Sequence, residues 1–226
     1  APMLHIHTVA AGGGSICRFD GTRLRVGPES AGANPGPACY RRGGPLTVTD
    51  CNVLLGRIQP DFFPWVFGPD QNRPLDREEV VSRFEVLAAD IQAATGKRYS
   101  LEELAEGFLT IAVENMASAI KQISTQRGYD PTEYALCCFG GAGGQHACAV
   151  ADALGMPAIF IHPLAGVLSA YGMGLADARL LKERAVEEPL TAELTPLLQR
   201  VFAELERIGR AEMIAQDIPA ARIRAA

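Results

Sequence analysis

The sharpest chemical signal in the chain is Gly140-Gly141-Ala142-Gly143-Gly144, followed directly by Gln145 and His146. Before it, Tyr134–Phe139 is a continuous apolar run, the pattern of a strand buried on both faces. After it, Gln145–Leu154 is rich in small residues and stops at Gly155, the pattern of a short helix. A glycine turn between strand and helix is a place for a nucleotide or phosphate. Missing Cβ atoms let a ligand approach the backbone, and the helix start offers free N–H groups and partial positive charge. No Gly-Lys-Ser/Thr follows, so the turn is not a P-loop. A dinucleotide fingerprint fits poorly too: no G-x-G-x-x-G registers here, and the next strand, Pro157–Ile161, runs into His162 rather than an acid. The competing structural reading is a close strand–helix crossing that merely needs small residues.

Other side chains able to do chemistry lie within the first 52 residues. His5 and His7 form an H-x-H on one face of an alternating segment, Met3–Val9. Such a pair can ligate metal, but no third ligand is evident, and a hydrogen-bonded strand histidine is the alternative. Glu29 sits in Gly-Pro-Glu-Ser-Ala-Gly, tethered between turn formers. A carboxylate held that way suits general-base or magnesium-water work; its alternative is to accept backbone N–H bonds. Asp50 ends Thr47-Val48-Thr49-Asp50, which reads as leading into a short helix over Cys51–Ile58. It either caps that helix or contacts metal or substrate together with Asn52. Ser15 lacks a G-x-S-x-G frame, so serine-hydrolase chemistry fails; Cys39 and Cys51 have no nearby cation to activate a thiol.

The elements that must position these residues are legible in outline. Asp20-Gly21 between Ile16–Phe19 and Leu24–Val26 signals a hairpin. Gly27–Pro45 then reads as a long loop, a length associated with function or disorder. Asp76 with Glu79, and Ser100 with Glu103, are capping-box patterns opening two amphipathic helices that close at Gly96 and Gly128. Tyr134–Ile161 forms a strand–helix–strand unit with a right-handed crossover expected. Gly166–Ala176 reads as a small-residue helix and Leu194–Ala215 as a final amphipathic one.

Composition excludes several classes. Net charge is −5 with no basic block, so no nucleic-acid partner is expected. No apolar run is long enough for a membrane span. The six cysteines include adjacent Cys137-Cys138 and no C-x-x-C, which favours reduced, buried thiols and a cytoplasmic setting.

A third reading of the glycine turn is the adenosine loop of an actin-like ATPase, where a Gly-Gly pair at a helix start lies against the nucleoside. In that reading Gly166, Ser169, Ala170, Gly172 and Gly174 suit a close-packed hinge helix. The chain resembles the hydantoinase A / 5-oxoprolinase family, and most of all its ATP-dependent 5-oxoprolinase branch. The resemblance rests on Ile6–Ser15, on Val26–Ala33 continuing into Pro35–Tyr40, on Thr47–Asp50 with Asn52 and Leu55-Gly56-Arg57, on Cys138–Cys148, and on Leu168-Ser169-Ala170 with Gly172 and Leu175-Ala176-Asp177. It covers about residues 1–180.

The resemblance implies an α/β fold that is part of an actin-like ATPase (ribonuclease H-like) fold, a mixed sheet with flanking helices. It implies ATP-dependent hydrolysis of a cyclic amide, 5-oxo-L-proline giving L-glutamate, with ATP, Mg2+ and a monovalent cation as cofactors. It also implies a hydantoinase B-like half or subunit as partner, and a homo-oligomer when intact. On this basis Glu29, Asp50 and His7 are the candidate catalytic residues. Gly140, Gly141, Ala142, Gly143, Gly144 and Gln145 are the candidate nucleotide contacts, Ser15 and Asn52 the candidate substrate contacts, and His5 with His7 the candidate metal ligands. Residues 1–180 are expected to form part of the family domain, with a helical segment over 76–128, and residues 181–226 a linker and helix leading toward a following domain. The family's phosphate-binding hairpins are not found in this sequence, so the chain is expected to be an internal piece of a longer enzyme. His5 stands where Asp is common in relatives, and Cys51 where Ala is usual. Two alternatives stay open: a hydantoinase or carboxylase subunit on the same fold, and a nucleotide-binding actin-like regulatory module. The Gly27–Tyr40 loop speaks against the second, which has no reason to carry it.

Overall fold

The computed structural model describes residues 7–225. Met3–Ile6, and with them His5, fall outside the described residues; His7–Val9 form no strand, so the expected alternating strand is not found there. The first regular element is a hairpin. β1 (Ser15–Phe19) pairs antiparallel with β2 (Leu24–Ser30) around the expected turn. Asp20 builds that turn by accepting from the backbone of Thr22 and Arg23, each at 3.0 Å. β2 runs four residues further than the sequence indicated, so Glu29 lies on a strand and not in a loop.

Within Thr47–Asp50 only Thr47 is extended. The β-branched residues resemble a strand, but α1 begins at Val48 and ends at Leu54. The reason is local: Asp50 reaches back to the Thr47 backbone N–H at 2.8 Å, a helix-opening bond that outweighs the weak intrinsic preference of Thr and Val. α2 (Arg77–Thr95) and α3 (Leu101–Gln126) start where their caps predict, with Asp76 and Ser100 accepting from Glu79 and Glu103. Their apolar faces meet α1 and the hairpin in the main core, which includes Val48, Val53, Val80, Phe84, Leu104 and Phe108. Phe84 and Phe108 meet edge to face at 6.5 Å.

β3 (Ala135–Cys138) and β4 (Ala158–Ile161) pair in parallel around α4 (Ala147–Leu154), the expected strand–helix–strand unit. A second, smaller core of Val113, Ala117, Val150 and Leu154 holds α4 to α3. Burial of these strands differs from expectation. Residues of β3 alternate between exposed and half-buried, β4 is exposed except at Ile159, and Phe139, Phe160 and Ile161 are exposed. Two strands packed on one helix cannot cover both faces of a sheet. α5 (Leu168–Leu175) has no buried residue, and among the described residues no atom lies within 4 Å of where side chains at Gly166, Gly172 or Gly174 would start, so the expected close packing of this helix is not made by them.

The chain divides into two compact units, residues 1–171 and 172–226. In the second, α6 (Thr195–Ala215) carries the preceding segment through ion pairs of Lys182 with Glu212 (2.6 Å) and Arg184 with Glu204 (2.9 Å). All six cysteines are free, but only Cys17, Cys39 and Cys51 are buried; Cys137 and Cys148 are exposed, which corrects the reading of uniformly buried thiols. Among the described residues no helix is long and apolar enough to cross a membrane.

Candidate functional site

Two glycine clusters serve different physical purposes. Gly12-Gly13-Gly14 precedes β1 and is packed against protein. A side chain at Gly13 would meet Thr49 Oγ1, and one at Gly14 would meet Ser30 Oγ, each at 2.8 Å. The Gly13 carbonyl accepts from Thr49 N and Oγ1, so this turn grips the start of α1. Ser15, buried, accepts from the Gly12 N–H at 3.0 Å and so braces the same turn.

The 140–144 turn is open instead. Among the described residues nothing lies within 4 Å of where a Cβ would stand at Gly140, Gly141 or Gly144, whereas one at Gly143 would meet Cys138 Sγ at 2.8 Å. Gly140 has φ of +94°, a conformation that itself calls for glycine. Its N–H donates to the Ala165 carbonyl at 2.8 Å, pinning the turn to the segment after β4. Packing inside the chain therefore gives no reason for glycine at 141 or 144. A 3₁₀ turn, Gly143–Gln145, then leads into α4.

Beneath this turn sits a buried polar group. Asn52, on α1, is fully buried and donates Nδ2 to Gln145 Oε1 at 2.9 Å, across 93 residues of sequence. Among the described residues its Oδ1 has no hydrogen-bond partner. His146 is 5% exposed, and among the described residues neither ring nitrogen has one. Burial, assisted by the Arg57 charge, pulls the His146 pKa below its ordinary value, so the ring is held neutral. The sequence leaves Gln145 and His146 as ribose or base contacts or as helix-start caps, and the structure gives neither a capping bond.

Asp50 is placed differently from Asn52, two residues on. It is fully buried, and its carboxylate accepts from Ala38 N (3.1 Å), Cys39 N (2.8 Å), Thr47 N (2.8 Å) and Thr47 Oγ1 (2.9 Å). One carboxylate thus opens α1 and anchors the 31–45 segment, whose short 3₁₀ turn Ala38–Tyr40 begins at those amides. That segment closes tightly: a side chain at Gly44 would collide with the Gly36 carbonyl. Burial, with the Asp50 charge, pushes the Cys39 thiol up, and the Cys17 thiol is raised by its contact with Cys51 (Sγ–Sγ 3.8 Å) and by burial. These are protonated, inert thiols. Glu29 is half exposed on β2 and pairs with Arg18 at 3.3 Å. His7 is exposed, and among the described residues no three His, Cys, Asp or Glu side chains gather as metal ligands. The structure thus brings Asn52 to Gln145 and the glycine turn, while Glu29 and His7 make no recorded contact with that group.

The sequence of residues 1–182 matches the hydantoinase/oxoprolinase family. Over 209 residues the chain is 51% identical to 5-oxoprolinase 1 of Arabidopsis thaliana, covering 89% of this chain and 16% of that protein. Among solved structures, a nucleotide-free acetone carboxylase superposes with a TM-score of 0.76 at 25% identity, covering 94% of this chain and 30% of that one. The ATP-dependent caprolactamase of Pseudomonas jessenii superposes with a TM-score of 0.62 at 34% identity, covering 93% and 30%. The chain spans about a sixth of the length of the curated relatives it matches. The α/β architecture is that of the actin-like ATPase type shared by these neighbours. With its first 182 residues matched and its fold shared with such enzymes, the chain belongs to the hydantoinase/oxoprolinase family.

Proposed function

We propose that this chain is part of an ATP-dependent 5-oxoprolinase, hydrolysing 5-oxo-L-proline to L-glutamate with hydrolysis of ATP. The observation that carries the reading is the open glycine turn: backbone at Gly141 and Gly144 with no neighbouring atom among the described residues to call for glycine, at the start of a helix. Its residues suit a nucleoside. Phe139–Val150 contains no Lys or Arg, so the turn itself brings no cationic side chain to the phosphates. ATP, when bound, supplies the driving force for opening a stable amide. Mg2+ and a monovalent cation belong to this reading as companions of the phosphates, and no residue here is assigned to hold them.

Within the reading, Gly140–Gly144 and Gln145 face the adenosine. Asp50 acts by anchoring the 31–45 segment, since its carboxylate already has four donors. Glu29, exposed and paired with Arg18, and the exposed His7 are the carboxylate and imidazole assigned to the substrate side, and Ser15 braces the 12–14 turn. A hydantoinase B-like half or subunit completes the active enzyme, which assembles as a homo-oligomer in the cytoplasm. Residues 181–226 lead toward a following domain.

The test is phosphate release by the full-length protein. It is expected with ATP and 5-oxo-L-proline together, and to stay at background with residues 1–226 alone. Release coupled to a hydantoin or a larger lactam, but not to 5-oxo-L-proline, would move the protein to another branch of the family. Robust coupled turnover by residues 1–226 would refute the division of labour.

A further inference from the structure

Asn52 is a fully buried amide whose single side-chain bond is to Gln145, and that bond fixes which way the Gln145 amide points. One lone pair of Oε1 is taken by the Asn52 donor, which turns the opposite end of the amide, the NH2 group with its two donors, away from Asn52 in the half-buried Gln145 side chain. Beside it the neutral His146 ring and Asn52 Oδ1 are buried without partners among the described residues. A buried polar group without a partner is costly, so such a cluster calls for a ligand or a function. Residues 139–150 carry no Lys or Arg, and although the Arg57 charge reaches His146, the side chains at the turn are two amides and a neutral imidazole, which suit an uncharged hydrogen-bonding edge.

We propose that Asn52 is the positioning residue of this site: it holds Gln145 so that the Gln145 NH2 donates to an uncharged acceptor of the bound nucleoside, a ring nitrogen or a ribose hydroxyl oxygen. Gln145 is then the specificity-determining contact, and Asn52 sets its polarity from α1. The inference rests on the nucleotide reading above and adds the residue pair that discriminates the nucleoside.

A double-mutant cycle on the full-length protein tests it, with ATP·Mg2+ as the probe. Gln145→Ala and Asn52→Ala are each expected to raise the Kd and KM for ATP about five- to tenfold, with kcat changed less. Asn52→Ala placed on Gln145→Ala is expected to add nothing to the Kd, because Asn52 acts through Gln145. Asn52→Ser, which keeps a donor of smaller size, covers the case in which Asn52→Ala fails to fold; its expected Kd lies between wild type and Gln145→Ala. 7-Deaza-, 3-deaza- and 1-deaza-ATP, and 2′-deoxy-ATP, separate a ring nitrogen from a ribose oxygen: the analogue lacking the acceptor should bind wild type weakly and be indifferent to Gln145→Ala. A purely structural Asn52 would lower the melting temperature and give additive Kd losses, which overturns the proposal. An unchanged Kd in Gln145→Ala, with wild type still binding ATP, overturns it as well while leaving the nucleotide reading intact. Absence of any ATP binding by wild type refutes both.

Discussion

Asp50 and Asn52 show how two neighbours on one short helix take opposite parts. Asp50 has every acceptor position turned toward the 31–45 segment and the helix start, whereas Asn52 keeps one oxygen unpartnered among the described residues beneath the glycine turn. Removing the Asp50 carboxylate would strand two buried loop amides and the Thr47 N–H together. Asp50→Ala is therefore expected to cost about 3 kcal/mol or more of stability, read from urea denaturation. Asp50→Asn, which keeps one acceptor, should cost less. A stability loss below about 1 kcal/mol in Asp50→Ala would mean that the segment does not depend on this anchor.

At the scale of elements, the two glycine clusters invite opposite expectations. The 12–14 turn is closed by packing and the 140–144 turn is open, so substitution should separate folding from binding. Gly141→Ala is expected to change stability by no more than about 0.5 kcal/mol, since its Cβ enters empty space. It is expected to weaken ATP binding roughly tenfold, measured by calorimetry on the full-length protein. Clear destabilisation with ATP affinity intact would restore the packing reading. Elements with strong end signals were legible in the sequence: Asp76 and Ser100 open α2 and α3, and Asp20-Gly21 turns the hairpin. α1 was legible as a short helix, but its start was placed three residues late, because Thr47–Asp50 carries β-branched residues and the helix start is set by one carboxylate bond. The Asn52–Gln145 contact was not legible, being separated by 93 residues with no local signal at either end.

For the whole molecule, burial of His146 links fold stability to acidity. Its folded-state pKa lies below the ordinary 6.5, so as pH falls through about 6.5 the unfolded chain takes up a proton that the folded chain refuses. Stability is thus fully present above that pH and declines below it until His146 protonates in the fold. The urea midpoint is expected to drop between pH 7.5 and 5.5, and His146→Phe should flatten the part of the slope due to this ring. An equal slope in the variant would show that other groups carry it. The apolar sequence of β3 and β4 was read correctly as strand, but their burial was overestimated, because two strands on a single helix leave Phe160 and Ile161 in contact with water. The composition says which residues prefer burial; it does not say that these 226 residues supply the cover.

The Asp50 anchor also bears on the order in which the protein acquires its shape. Its loop partners, Ala38 and Cys39, are only twelve and eleven residues away in sequence. Loop closure over so short a span costs little chain entropy, so this segment can set at the same time as the first turn of α1 and ahead of the long-range joining of Asn52 to Gln145. A nascent chain emerging in sequence order would then present the glycine turn with a partner surface already formed.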